Sequence, residues 1–340
     1  MFYSATTFGA NLPFLIKNRS MNANHYKQLF LAALITSALP VAAQTNSDLK
    51  PATPAQDTPS TPPPTLAEIR YGPHERNVLD FWKADSVKPT PLVFVIHGGA
   101  WTSKGKERVG TFVDVAALLR AGISVVAINY RFTTQARADG ISPPVKAPMT
   151  DCARALQFVR NQSTRWHLDK QRVGAAGGSA GACSSLWLAF HDDLADPKSN
   201  DPVARESTKP QFAAVRIAQT SLDPQQMKEW TPNSTYGAHA FGLDSFAEFL
   251  ANREKILPWI KEYSPYELVN AGDPPVYLFY PSPPALGRKA KDPTHTANFG
   301  VKLKEHCLVN QVECELVYPG APGVKHATPT AYLIKMLMPD

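Results

Sequence analysis

Arg172-Val173-Gly174-Ala175-Ala176-Gly177-Gly178-Ser179-Ala180-Gly181 is the stretch whose reading decides the fold. Arg172–Ala176 reads as a buried strand, and the apolar residues from Ala180 onward read as a helix. Between them lies a turn of the pattern Gly-x-Ser-x-Gly. A serine hydroxyl stands clear of so sharp a turn only where its neighbours carry little side chain, which glycine on either side provides. The start of the following helix also favours negative charge developing there. At an average glycine usage of ~7% the bare pattern arises by chance on the order of once in ten chains of this length. Its weight therefore comes from the strand before it and the helix after it.

Outward from this turn, strands and helices alternate. Pro91–Ile96 (PLVFVI) and Ile123–Asn129 (ISVVAIN) are continuously apolar, as expected of strands buried on both faces. Val78–Trp82 is an earlier strand, and Phe212–Gln219, Val276–Tyr280 and Glu313–Tyr318 are later ones. Helical spacing runs through residues 105–120 and 150–163, and Thr328-Pro329 opens a last helix through Met338, with proline suited to the first helical position. The alternation predicts an α/β chain with a mostly parallel central sheet and helices on both faces. Residues 224–262 break the rhythm and carry Trp230, Tyr236, Phe241, Phe246, Phe249 and Trp259, so a small inserted cap over the site is expected there.

Residues 1–43 read as an export signal. Lys27 precedes the apolar run Leu29–Leu39, and Val41-Ala42-Ala43 offers small residues for cleavage before Gln44. The run is shorter than the ~20 residues that span a bilayer, so no stable membrane span is expected after processing. Met21 is a second candidate start, because the residues before it make the leader long. Residues 44–65, with Thr61-Pro62-Pro63-Pro64-Thr65, have almost nothing apolar to bury and read as a linker. The catalytic domain is then 66–340, and the protein is expected to be secreted or periplasmic.

The chain has 340 residues, 44% of them hydrophobic, which fits a globular protein. Its 35 basic residues exceed its 29 acidic ones, but Lys17, Arg19 and Lys27 fall in the segment expected to be removed. No dense Lys/Arg block with interleaved aromatics occurs, so no nucleic-acid partner is expected. The four cysteines have no metal-site spacing among themselves or with histidine, and no metal or cofactor is expected. The acidic patch His191–Asp196 reads as a solvated loop. Cys307 and Cys314 flank a helix–turn–strand corner, where a disulfide is expected, and Cys152 and Cys183 are expected as packed thiols. The sequence leaves the oligomeric state open.

A second motif, His97-Gly98-Gly99-Ala100-Trp101, directly follows the strand PLVFVI. Its small residues let backbone N–H groups approach a substrate, and His97 is expected to support the turn. With HGGAW after one strand and GGSAG after a later one, the chain resembles the HGGG-type esterases and lipases of the α/β-hydrolase superfamily, hormone-sensitive-lipase-like or feruloyl-esterase-like. The resemblance runs from about Tyr71 to Met338 and includes Asn129-Tyr130-Arg131 and Asp169–Gly174 (DKQRVG). It implies the α/β-hydrolase fold and a Ser–acid–His triad in that chain order.

Carried over by position, Ser179 is the nucleophile, and the N–H groups of Gly98, Gly99 or Ala100 with that of Ala180 form the oxyanion hole. Ala100 stands where the family often has a third glycine, which requires backbone angles that suit alanine. The resemblance puts the base on the loop before the final helix, where His326 lies. His295, His191 and His239 are rivals off that loop, the first two read as surface groups. The acid is expected after the strand Val276–Tyr280, where Asp292 is the first acidic residue. Asp223, at the end of the preceding strand, is its rival, and Asp273 lies at the wrong end of its strand. Trp101 and Trp230 are expected to touch substrate.

The expected chemistry is two-step acyl transfer on a small or polysaccharide-linked ester, with short acyl groups preferred. A serine peptidase or amidase, or an inactive binding module on the same fold, are the alternatives.

Overall fold

The computed structural model describes residues 61–338. The expected signal segment, the second candidate start at Met21 and residues 44–60 of the expected linker lie outside the described residues. Eight strands form one sheet: β1 (Leu66–Arg70), β2 (Val78–Trp82), β3 (Thr90–Ile96), β4 (Ser124–Ile128), β5 (Leu168–Gly178), β6 (Phe212–Arg216), β7 (Val276–Phe279) and β8 (Cys314–Val317). Their order is β1-β2-β4-β3-β5-β6-β7-β8. β2 pairs antiparallel with β1 and β4, and every pairing from β4 through β8 is parallel. This is the mostly parallel sheet of the α/β-hydrolase fold.

The apolar runs lie where their composition puts them, since every residue of β3 and β4 is buried. Helices cover both faces and bury two apolar clusters, one around Phe94, Ile128, Leu186 and Phe299 and the other around Val93, Val125, Phe212 and Leu333. The helix expected at 105–120 is instead two pieces, a 3₁₀ turn at Lys106–Thr111 and an α-helix at Val115–Arg120. Asp114 makes the break, because its carboxylate accepts the Ala117 N–H at 2.9 Å and so caps the second piece. The helix expected at 150–163 starts earlier, at Lys146, and runs to Asn161.

Residues 224–262 fold as short helices at Pro224–Trp230, Ala238–Phe241 and Phe246–Ala251 and a longer one at Arg253–Tyr263. No helix among the described residues is long and apolar enough to cross a membrane.

The expected Cys307–Cys314 disulfide is absent. All four cysteines are free, and the Cys307 and Cys314 thiols lie within hydrogen-bonding reach of each other. The corner between them is closed by the backbone, with the Val312 N–H donating to the Cys307 carbonyl at 2.9 Å.

Candidate active site

Ser179 sits between β5 and the helix Ala180–Phe190 with φ 55° and ψ −122°, a conformation that non-glycine residues rarely adopt. Such strain costs about 1–3 kcal/mol and persists only where the surroundings hold it. Here the Ser179 N–H donates to the Arg216 carbonyl of β6 at 3.1 Å, and its carbonyl accepts the Cys183 N–H at 3.0 Å.

The turn also needs close backbone contact. A Cβ on Gly98 would lie 2.6 Å from the Gly178 carbonyl oxygen and 3.3 Å from the Ser179 Cβ. The HGGAW segment therefore rests directly on the serine turn, which only glycine at position 98 allows.

Gly99, Ala100 and Trp101 follow with φ of 110°, 56° and 54°. Ala100 thus takes a left-handed conformation that favours glycine, and partners on both sides hold the loop. The Gly99 carbonyl accepts the N–H groups of Thr102 and Ser103 at 2.9 and 3.1 Å. The Ala100 carbonyl accepts Nε2–H of His239, from the short helix Ala238–Phe241, at 2.9 Å. The Ala180 N–H opens its helix, where the first amides lack intrahelical acceptors.

His97 supports this loop from beneath. Its ring stacks on Tyr130 with centroids 4.2 Å apart, and the Tyr130 hydroxyl donates to its carbonyl at 2.8 Å. Burial pushes the imidazole down to about 4, so it is neutral at pH 7.

The histidine against the serine is His295. The Ser179 hydroxyl donates to its Nε2 at 2.9 Å, and its Nδ1–H donates to Asp292 Oδ2 at 2.8 Å. Asp292 Oδ1 accepts the backbone N–H groups of Thr294 and His295, each at 3.2 Å. One turn of chain, Asp292-Pro293-Thr294-His295, therefore orients both carboxylate and ring. Gln219 Nε2, in the segment after β6, anchors it by donating to the Thr294 carbonyl at 2.7 Å. The rule that the histidine follows the last strand misses this arrangement. Its signal in the sequence is an Asp-Pro turn with a histidine three residues after the aspartate.

His326, expected as the base, is placed elsewhere. Its Nδ1–H donates to Glu315 Oε2 at 2.7 Å, its backbone N–H to Oε1 at 2.8 Å, and its carbonyl accepts the Tyr277 hydroxyl at 3.0 Å. Glu315 lies inside β8, opposite Tyr277 of β7. The loop after β8 therefore folds back along its strand and carries His326 away from the strand ends where Ser179 stands.

Asp223 does not face His295. It caps the helix Pro224–Trp230, accepting the Gln225 N–H at 2.8 Å, and binds the Arg253 guanidinium at 2.8 Å through Oδ1 and 2.6 Å through Oδ2. His191 pairs with Glu262 at 3.2 Å, and Asp273 with Lys209 at 3.3 Å.

A cleft of about 610 Å³ opens over Ser179 and His295, bordered by Gly98, Gly99, Ala100 and Tyr236. Trp101 and Trp230 do not line it, contrary to expectation. Trp101 is fully buried with its Nε1–H donating to Ser184 Oγ at 3.0 Å, and Trp230 packs on Tyr266 and Phe299. The left-handed turn at Ala100 and Trp101 directs the indole into the core. Tyr236 is the aromatic residue of the inserted segment that reaches the cleft.

The chain is similar to known proteins. The BD-FAE family model matches residues 79–282. Esterase LipQ of Mycobacterium tuberculosis is 30% identical over 156 residues, covering 45% of this chain and 34% of LipQ. Probable carboxylic ester hydrolase LipM of the same organism is 32% identical over 152 residues, covering 43% of this chain and 32% of LipM. The chain thus spans about a third of the length of the curated relatives it matches. Among solved structures, the acetyl ester-xyloside bifunctional hydrolase of Caldicellulosiruptor lactoaceticus superposes with a TM-score of 0.53 at 24% identity, covering 71% of this chain and 77% of that one.

Proposed function

The chain belongs to the BD-FAE family and has the α/β-hydrolase fold, and on that premise we propose that it hydrolyses carboxylic esters through an acyl-enzyme formed on Ser179. The observation that carries this reading is the unbroken hydrogen-bond chain from Ser179 Oγ through His295 to Asp292 beneath the cleft. His295 Nε2 takes the hydroxyl proton as Oγ attacks the ester carbonyl, and Asp292 stabilises the imidazolium that forms. The N–H of Ala180 and those of the 98–100 loop receive the oxyanion. His295 then protonates the leaving alcohol, and a water activated by the same ring releases the acid. The names of LipQ and LipM, an esterase and a probable carboxylic ester hydrolase, support the ester over the amide.

Short acyl groups are the favoured substrates, because Tyr236 and the cationic side chains of Lys104, Arg108 and Arg216 border the cleft beside its apolar residues. An acetyl group on a sugar fits this reading, as the name of the xyloside-active structural neighbour suggests. Export through residues 1–43 would bring the enzyme to such external esters, and N-terminal sequencing of protein recovered outside the cytoplasm tests that step. The substrate claim is tested by kcat/KM for nitrophenyl acetate, butyrate and palmitate. Acetate or butyrate is expected to exceed palmitate by at least about tenfold, roughly 1.4 kcal/mol in the barrier. Faster cleavage of palmitate would indicate a lipase.

The two aspartates should separate chemistry from stability. Asp292→Asn is expected to lower kcat by up to about 10⁴-fold with little change in Tm, because the amide no longer holds the productive histidine tautomer. Asp223→Asn is expected to cost about 1–3 kcal/mol of stability, because it removes the buried carboxylate that pairs the Arg253 guanidinium. Thermal melts and nitrophenyl acetate kinetics on both variants check the division, and the reverse pattern would return the acid role to Asp223.

A further inference from the structure

Among the described residues, every partly or fully buried arginine except Arg216 has a hydrogen-bond acceptor for its guanidinium. Arg131 is held by Asp151, Arg253 by Asp223, and Arg160 by the carbonyls of Ser207 and Lys209. The Arg216 side chain makes no hydrogen bond and no ion pair. Its guanidinium lies over the Phe279 ring at 4.9 Å, with its donors unused.

The position of Arg216 is specific. It ends β6 in register with Gly178, its carbonyl accepts the Ser179 N–H, and its side chain lines the cleft over the serine. Burial lowers its basicity, as it does for other partly buried arginines such as Arg160, so it is the missing acceptor that sets Arg216 apart. Arg108 and Lys104 line the same cleft, again without an acidic partner among the described residues, and no aspartate or glutamate lines it. A cleft lined by three cations and no carboxylate favours an anion in its lumen, since Asp292, behind His295, is outside the lining.

We propose that this cleft is selective for esters that carry a carboxylate, bound by Arg216 beside Ser179, with Arg108 and Lys104 drawing the anion in. The proposal rests on the reading of Ser179 as an ester-cleaving nucleophile and narrows its substrate class. The planar fork of N–H donors on Arg216 matches a carboxylate in two-point contact, which a neutral acyl or alcohol group does not supply. Solvated rim lysines and arginines occur on many proteins, and the partly buried, unpartnered Arg216 sets this cleft apart.

Two matched pairs test the selectivity. One places the charge on the acyl side, phenyl hydrogen adipate against methyl phenyl adipate. The other places it on the alcohol side, 4-acetoxybenzoate against 4-acetoxybenzamide. Each kcat/KM is divided by the hydroxide-catalysed rate of the same ester. In at least one pair the anionic member is expected to be favoured by about tenfold or more at low salt, with the preference shrinking severalfold on going from about 50 to 500 mM NaCl. Arg216→Gln should cut that ratio at least about fivefold, and Arg216→Lys should retain part of it, since the point charge survives and the fork does not. Ratios at or below one in both pairs, or a preference untouched by Arg216→Gln, would overturn the proposal.

Calorimetric binding of 4-phenoxybutyrate against 4-phenoxybutanamide needs no turnover. If no ester at all is cleaved, the hydrolase reading falls, and tighter binding of the anion that is lost in Arg216→Gln still upholds the anion site. Equal binding of the acid and the amide rejects it.

Discussion

Replacing His295 with alanine is expected to lower kcat/KM for nitrophenyl acetate by roughly 10⁴–10⁶-fold, the range seen when the base of a serine triad is removed. His326→Ala is expected to leave it within about threefold, because that ring is engaged with Glu315 and does not line the cleft. The two substitutions remove the same chemical group from two loops, so their ratio reports position alone.

His326→Ala should instead be felt in stability. Burial pushes the Glu315 carboxyl up, but hydrogen bonds from the His326 ring and the backbone of residues 325–326 outweigh it and hold Glu315 below the usual range. A carboxyl depressed in the folded state contributes stability that is present above its unfolded value and lost as pH falls through the folded one. The Tm deficit of His326→Ala relative to wild type should therefore be visible at pH 7 and shrink below about pH 4. Melts across that window check it.

Ser179→Ala is expected to reduce ester turnover to background, a loss on the order of 10⁶-fold in kcat, while leaving a folded protein. Alanine fits the buried surroundings of the turn but inherits the same positive φ. Ser179→Gly is expected to be equally inactive and about 1 kcal/mol more stable than Ser179→Ala, since glycine relieves the strain. Retained turnover in either variant would remove Ser179 from the nucleophile role, and equal melting temperatures would remove the strain.

Much of the fold was legible in the sequence because it depends on short-range pattern. PLVFVI and ISVVAIN suit strands buried on both faces of a sheet, and both lie there, the second parallel to β3 and antiparallel to β2. The serine turn was legible because its glycines are required by backbone contacts between two strand ends, as at Gly98 against Gly178. Asp292 was expected as the acid from its position after β7, but as the partner of His326, whereas its carboxylate faces His295.

The base was not legible. Its identity depends on where a loop goes after a strand ends, which composition does not determine. The Pro/Gly-rich stretch 319–323 permits either a crossing over the sheet end or a return along β8, and the Glu315–His326 pair takes the return. Trp101 misled for a related reason. Its place beside the oxyanion loop suggested substrate contact, but the left-handed backbone at Ala100 and Trp101 turns the indole inward, where Ser184 accepts its N–H. Arg216 carries no motif, and only the absence of a partner in three dimensions singles it out.

The most direct measurement is the rate and site of labelling by diisopropyl fluorophosphate, read by intact mass and peptide mapping on four proteins: wild type, Ser179→Ala, His295→Ala and His326→Ala. The predicted result is one adduct on Ser179 in wild type and in His326→Ala at similar rates, none in Ser179→Ala, and labelling slowed by orders of magnitude in His295→Ala. An adduct on another residue, or fast labelling of His295→Ala alongside slow labelling of His326→Ala, would contradict the account.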